Sequence, residues 1–97
     1  MKPYIAIVHK DENSAWGMTF PDAPGCFSAA DEMDDIFAMA SEALEGWTEL
    51  SLDLGHTVPS PRELSEIKAD PAWKESFETS VLVIAVPPPQ VLLAKAA

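Results

Sequence analysis

Two apolar runs stand near opposite ends of this chain, and they constrain its fold more than any other feature. They are "YIAIVHK" (Tyr4–Lys10) and "SVLVIAV" (Ser80–Val86). Both are rich in β-branched residues, which favour strands. In the first, Tyr4, Ala6 and Val8 fall on one face and Ile5 and Ile7 on the other, so both faces are apolar. The second has no polar residue after Ser80. A strand that is apolar on both faces belongs in the middle of a sheet, covered on both sides. Pro87–Pro89 end the second run, because proline cannot serve a sheet interior. The expectation is that the last strand returns through a long crossover and lies parallel beside the first.

The segment between them supplies the rest of the sheet and its cover. "DENSA" (Asp11–Ala15) has turn chemistry. "WGMTF" (Trp16–Phe20) alternates large and small side chains, which predicts a β-hairpin with Trp16, Met18 and Phe20 on one face. "PDAPG" (Pro21–Gly25) is a punctuated corner, and "CFSAA" (Cys26–Ala30) is a short third strand. A long helix follows, with Asp31 as its cap and Asp34 and Asp35 in its first turn, where the helix dipole favours negative charge. Met33, Ile36, Phe37, Ala40, Leu44, Trp47, Leu50 and Leu54 recur at helical spacing as the buried stripe. Asp35, Glu42, Glu45, Glu49 and Asp53 project to the other side, and Gly55 stops the helix. "HTVPSPRE" (His56–Glu63) is a linker that ends in a helix start, with Ser60 as N-cap, Pro61 at the first position and Glu63 completing a capping box. "RELSEIKAD" is a short amphipathic helix ended by Pro71, and "AWKES" adds one more turn. The fold class is therefore α+β: a three-stranded antiparallel meander, a long helix, a short helix and a fourth strand beside the first.

Charge decides which partners suit such a domain. Sixteen acids against six bases give the 97-residue chain a net charge of -10. A surface of this sign repels nucleic acid and suits a basic partner. Between Asp31 and Asp53 there are eight acids and no base. One cysteine cannot form an internal disulfide, the N-terminus lacks a signal peptide, and no run approaches the length of a membrane span. A cytoplasmic protein is expected, with no membrane contact.

Catalytic chemistry finds little support. Cys26 needs a nearby base to act as a nucleophile, and His9 and His56 are the only histidines. A small apolar role for Cys26, packed in its strand, is the better reading. The histidines are too far apart in sequence to form a ligand pair. Asp11, Asp22 and Asp31 with the helix acids are the competing carboxylate set for Mg²⁺, but two-metal hydrolysis wants carboxylates inside the central strands, which have none. No catalytic residue, metal site or cofactor is assigned. Trp16, just after the hairpin turn, suits an interface hot spot rimmed by acid.

The stretch "YIAIVHKDENSAWGMTFPDAPGCFSAADEMDDIFAMASEALEGWTE", with its "FPDAPGCF" corner, acidic helix start and late "ALEGW", resembles the HicB-like antitoxin family. "GHTVPSP" is similar to the family's linker after the helix, and the likeness spans residues 3 to 86. It implies a partly degraded, non-catalytic ribonuclease H-like fold for residues 1–86, which binds a basic HicA-type toxin. That toxin is an mRNA-cleaving ribonuclease, whose active site the antitoxin masks. The family pattern continues into a DNA-binding, dimerising segment. On that pattern residues 87–97 are a Pro-rich linker to a segment absent from this chain, and operator DNA is a partner only through that segment. A homo-oligomer is expected. The toxin contact is placed on Asp11, Glu12, Trp16, Asp22, Glu42, Glu45 and Glu49. Two alternatives from other classes are a metal-dependent ribonuclease H-like hydrolase and an acidic oligomeric scaffold.

Overall fold

The computed structural model describes residues 1–96. Strands β1 (Tyr4–Lys10), β2 (Trp16–Thr19) and β3 (Phe27–Ala30) form the meander, followed by helix α1 (Ile36–Asp53). Two short helices, α2 (Leu64–Ala69) and α3 (Lys74–Glu78), lead to strand β4 (Leu82–Val86) and helix α4 (Gln90–Ala96). The sheet order is β3-β2-β1-β4. β2 pairs with β1 through Ile7↔Thr19 to Lys10↔Trp16, and with β3 through Trp16↔Ala30 to Thr19↔Phe27.

One sheet face carries the main core. Tyr4, Ala6, Val8, Met18 and Val86 cluster there with Phe20, Ala23, Cys26, Ile36, Ala40 and Leu44 under α1. Ile5 and Ile7 alternate onto the other face, where they are buried, as is Ile67 of α2. His9, on the same face, donates Nε2–H to the Ser76 carbonyl at 2.8 Å. The short helices thus cover the β1 side of the second face.

β4 lies beside β1 as expected, but it runs antiparallel, with Tyr4↔Val86 and Val8↔Leu82 in register. The reason is the path of residues 56–80. α1 follows the upward strand β3 and runs back down. The chain then climbs the sheet from the Tyr4 end, where Tyr4 Oη donates to Pro59 O at 2.7 Å, to the His9 end beside Ser76. It enters β4 from the top. β4 is also an edge strand with half-buried side chains, not the central strand its composition predicts.

The long helix begins later than its sequence signals imply. Met33–Asp35 form a 3-10 turn preceded by Glu32, and Asp31 caps nothing. The buried row is Ile36, Ala40, Leu44, Thr48 and Ser51, an i to i+4 ridge completed by half-buried Trp47. Met33, Phe37, Leu50 and Leu54, assigned to the buried stripe, are more than half exposed. The helix ends as Gly55 predicts. At φ 75° it lets His56 N–H reach Ser51 O at 2.8 Å and its own N–H reach Leu52 O at 3.0 Å, a Schellman closure.

Two long-range ties hold the "FPDAPGCF" corner. Trp47 Nε1–H donates to Pro24 O at 3.1 Å, and Gly25 turns the chain at φ 86° beside that ring. Asp22, 7% exposed, accepts from Arg62 N at 2.7 Å and Arg62 Nε at 2.8 Å, and Arg62 Nη1 also binds Asp70 at 3.1 Å. The Asp22 bond to the Arg62 amide holds the chain outside the helix, so α2 is capped by Glu63, not Ser60. Glu63 N–H donates to Glu66 Oε1 at 3.1 Å, giving a capping box three residues beyond the expected one. α2 stops before Pro71, and a 3-10 turn at Pro71–Trp73, capped by Asp70, leads into α3. Within the stretch read from sequence as a linker (87–97), Gln90–Ala96 form α4, whose Leu92 joins the core beside α1.

Candidate functional site

Strand register gathers acids that are far apart in sequence. Lys10, Trp16 and Ala30 lie abreast at one end of the sheet. The β1–β2 turn and the approach to α1 therefore leave from the same end. The turn is tied by Ser14, whose Oγ accepts from Asp11 N at 3.0 Å and donates to Asp11 O at 2.9 Å, while Asn13 takes φ 62°. Asp11 and Glu12 are left exposed at the same end of the sheet as exposed Asp31, Glu32, Asp34 and Asp35. Trp16 is half-buried against the core, with Lys10 Nζ 5.9 Å from its ring centroid.

Apolar side chains stand among these acids. Met33 is 57% exposed, Phe37 52% and Met39 39%. Asp31, Asp35 and Met39 line a cleft against Ala29 and Ala30 of β3. Ser28 Oγ donates to Met39 O at 2.9 Å and locks the helix against the strand there. Sequence reading missed these anchors because it placed Met33 and Phe37 in the core. The available signal was their proximity to four acids in the helix's first residues, which leaves little room for a buried flank.

The remaining expected contact residues lie elsewhere. Glu42, Glu45 and Glu49 are exposed on the outward side of α1. Glu49 and Asp53 face a groove shared with Leu52 and Val91 of α4. Among the described residues, no acid from Asp31 to Asp53 is in an ion pair. Asp22 differs from all of these: it is buried, and both its oxygens are taken by Arg62. It holds the fold together and presents no free charge.

The structure offers no activated nucleophile. Burial pushes the Cys26 thiol up to about 11, away from the thiolate a nucleophile needs. His9 is committed to Ser76, and His56 is exposed in the loop after α1. Among the described residues, no three His, Cys, Asp or Glu side chains are grouped to hold a metal ion, and no helix is long and apolar enough to cross a membrane.

The fold has counterparts among solved structures. Its backbone superposes on a chain of the HicA3 and HicB3 toxin-antitoxin complex with TM-score 0.70, at 29% identity over 88% of this chain and 95% of that one. The Burkholderia pseudomallei antitoxin HicB gives TM-score 0.70 at 26% identity, covering 99% of this chain and 82% of that one. The N-terminal domain of the same antitoxin gives 0.66 at 32% identity, covering 89% and 95%. In sequence, 69 residues are 29% identical to an uncharacterized 14.9 kDa protein in the rep-hol intergenic region of Haemophilus phage HP1, covering 71% of this chain and 52% of the phage protein. The chain thus spans about half the length of that relative. Residues 4–94 match the family described as HicB_like antitoxin of bacterial toxin-antitoxin system. That match covers nearly the whole sequence, and the chain belongs to the HicB-like antitoxins, a family of inhibitors rather than enzymes.

Proposed function

We propose that this protein neutralises a basic HicA-type toxin by covering the active site with which it cleaves mRNA. The observation that carries this reading is the likeness to the HicB fold of a HicA3–HicB3 complex, joined to a net charge of -10. Met33, Phe37, Met39 and Trp16 supply the apolar anchors of the contact. Asp11, Glu12, Asp31, Glu32, Asp34 and Asp35 supply its acidic rim. Glu42, Glu45 and Glu49 extend the negative field along α1 and speed encounter with a basic partner. The work is done in the cytoplasm, where the toxin meets mRNA.

The test is RNA cleavage by the purified toxin at increasing ratios of this chain. Cleavage stops near equivalence, and co-expression restores growth. An unaffected toxin at stoichiometric chain defeats the reading. Inhibition that is slow and salt-insensitive would remove the acidic rim from it.

A further inference from the structure

We propose that the outer edge of β3 receives an extended basic segment of the toxin as a fifth strand of the sheet, with an arginine or lysine of that segment seated in the cleft between β3 and α1. This mode rests on the antitoxin reading above and names how the partner is held. β3 ends the sheet: one side of its backbone pairs with β2, and among the described residues the other pairs with nothing. Such an edge offers main-chain donors and acceptors to an extended segment, and adjoining pockets select its alternate side chains.

Both faces of this edge can receive side chains. Phe27, 66% exposed, and exposed Ala29 lie on the face away from α1, while Ser28 and Ala30 face the helix. The short helices cover only the β1 side of that outer face, so Phe27 is free to pack against an apolar side chain of an added strand. On the helix side, Ala29, Ala30, Asp31, Asp35 and Met39 line a cleft of about 210 Å³. Its lining combines methyl and thioether groups with two carboxylates. That combination matches the aliphatic stem and charged head of arginine or lysine.

Charge names the occupant. Asp31 and Asp35 are exposed, and neither forms an ion pair among the described residues. Asp11 and Glu12 stand at the same end of the sheet, so a basic segment is attracted there and an acidic one repelled. A second copy of this chain, at -10, is disfavoured at this edge for that reason. β4 also ends the sheet, but the chain has no charged residue from Thr79 to Ala94, and a basic strand has nothing to select it there.

The measurement is amide hydrogen exchange of the full chain, alone and with the HicA-type toxin of the cleavage assay. The outward amides of Phe27–Ala30 should gain protection in the complex, and those of Leu82–Val86 should not. Two charge-matched variants give a second readout. D31N/D35N should speed dissociation by about tenfold, because the cleft loses its charges. E42Q/E45Q removes the same charge further along α1 and should slow association without changing dissociation. Phe27→Ala should speed dissociation by about two- to fivefold. A toxin that is inhibited while the β3 amides stay unprotected overturns this mode and leaves the antitoxin reading standing. Equal dissociation rates for D31N/D35N and E42Q/E45Q overturn it as well. A toxin that neither binds nor is inhibited overturns both.

Discussion

The β3 edge of the sheet runs into four carboxylates within five residues, whereas the β4 edge crosses sixteen consecutive residues with no charge. Both edges belong to one small sheet, and β1 and β2 separate them. The charged edge sits beside exposed Met33, Phe37 and Met39, which a partner of opposite charge can bury. The neutral edge offers unpaired backbone and partly exposed aliphatic side chains. Charge is therefore distributed unevenly over one fold, dense at the β3 edge and lacking at the β4 edge.

The division breaks most visibly at the acidic end. Reversing Asp31, Asp34 and Asp35 to lysine should slow association with the basic toxin by about 10- to 1,000-fold at low salt. The gap to the parent narrows as salt rises, measured by stopped-flow or surface plasmon resonance. Truncating Phe37 to alanine should weaken binding by about tenfold through faster dissociation. If reversal of Glu42, Glu45 and Glu49 has the larger effect, the contact runs along α1 instead.

Asp22 tests whether the two sides depend on a common frame. Asp22→Ala strips Arg62 of its amide and guanidinium acceptor and frees the segment that climbs to β4. A loss of about 2–3 kcal/mol in urea unfolding is expected. Hydrogen-exchange protection should fall further in β4 than in β3. Thr48→Val tests the shared core. Thr48 Oγ1 is buried without a hydrogen-bond partner, so the isosteric apolar residue should stabilise the fold by about 1 kcal/mol.

The pH dependence is the smallest effect and has two limbs. The Ala72 N–H, with Arg62, holds the Asp70 carboxyl below its usual range. A depressed carboxylate contributes stability above its unfolded value, near 3.8, and loses it as pH falls through the folded value. Cys26 is the opposite case. Its thiol is pushed up to about 11, so its contribution is full below its unfolded value near 9.0 and is lost as pH rises between the two. Thermal unfolding from pH 2 to 11 should show both limbs, and Cys26→Ala should shrink the alkaline one, leaving the part owed to Tyr4, whose phenol burial also raises. The native thiol should also resist alkylation at neutral pH until the chain unfolds.

Much of the sheet was legible because strand alternation and turn chemistry are local. The meander and the Gly55 stop rest on such signals. The direction of β4 depends on where residues 56–80 climb, and Tyr4–Pro59 and His9–Ser76 fix that path across the fold. The start of α2 likewise depends on an Asp22–Arg62 bond spanning 40 residues, so the local Ser60–Pro61 pattern misplaced it by three positions. In α1, hydrophobicity favoured Met33, Phe37, Leu50 and Leu54 for the core, yet the helix buries the ridge through Thr48 and Ser51. Periodicity locates a helix better than it fixes rotation when large apolar residues occupy two faces. The acids were visible as residues, but the meeting of Asp11 and Glu12 with Asp31–Asp35 follows from strand register.

The most direct measurement is toxin RNA cleavage titrated with two forms of this chain: the parent and the Asp31/Asp34/Asp35 lysine variant. The account predicts that the parent stops cleavage at equivalence, while the lysine variant leaves it running. Cleavage that continues with the parent at equivalence, or that the lysine variant stops equally well, would contradict it.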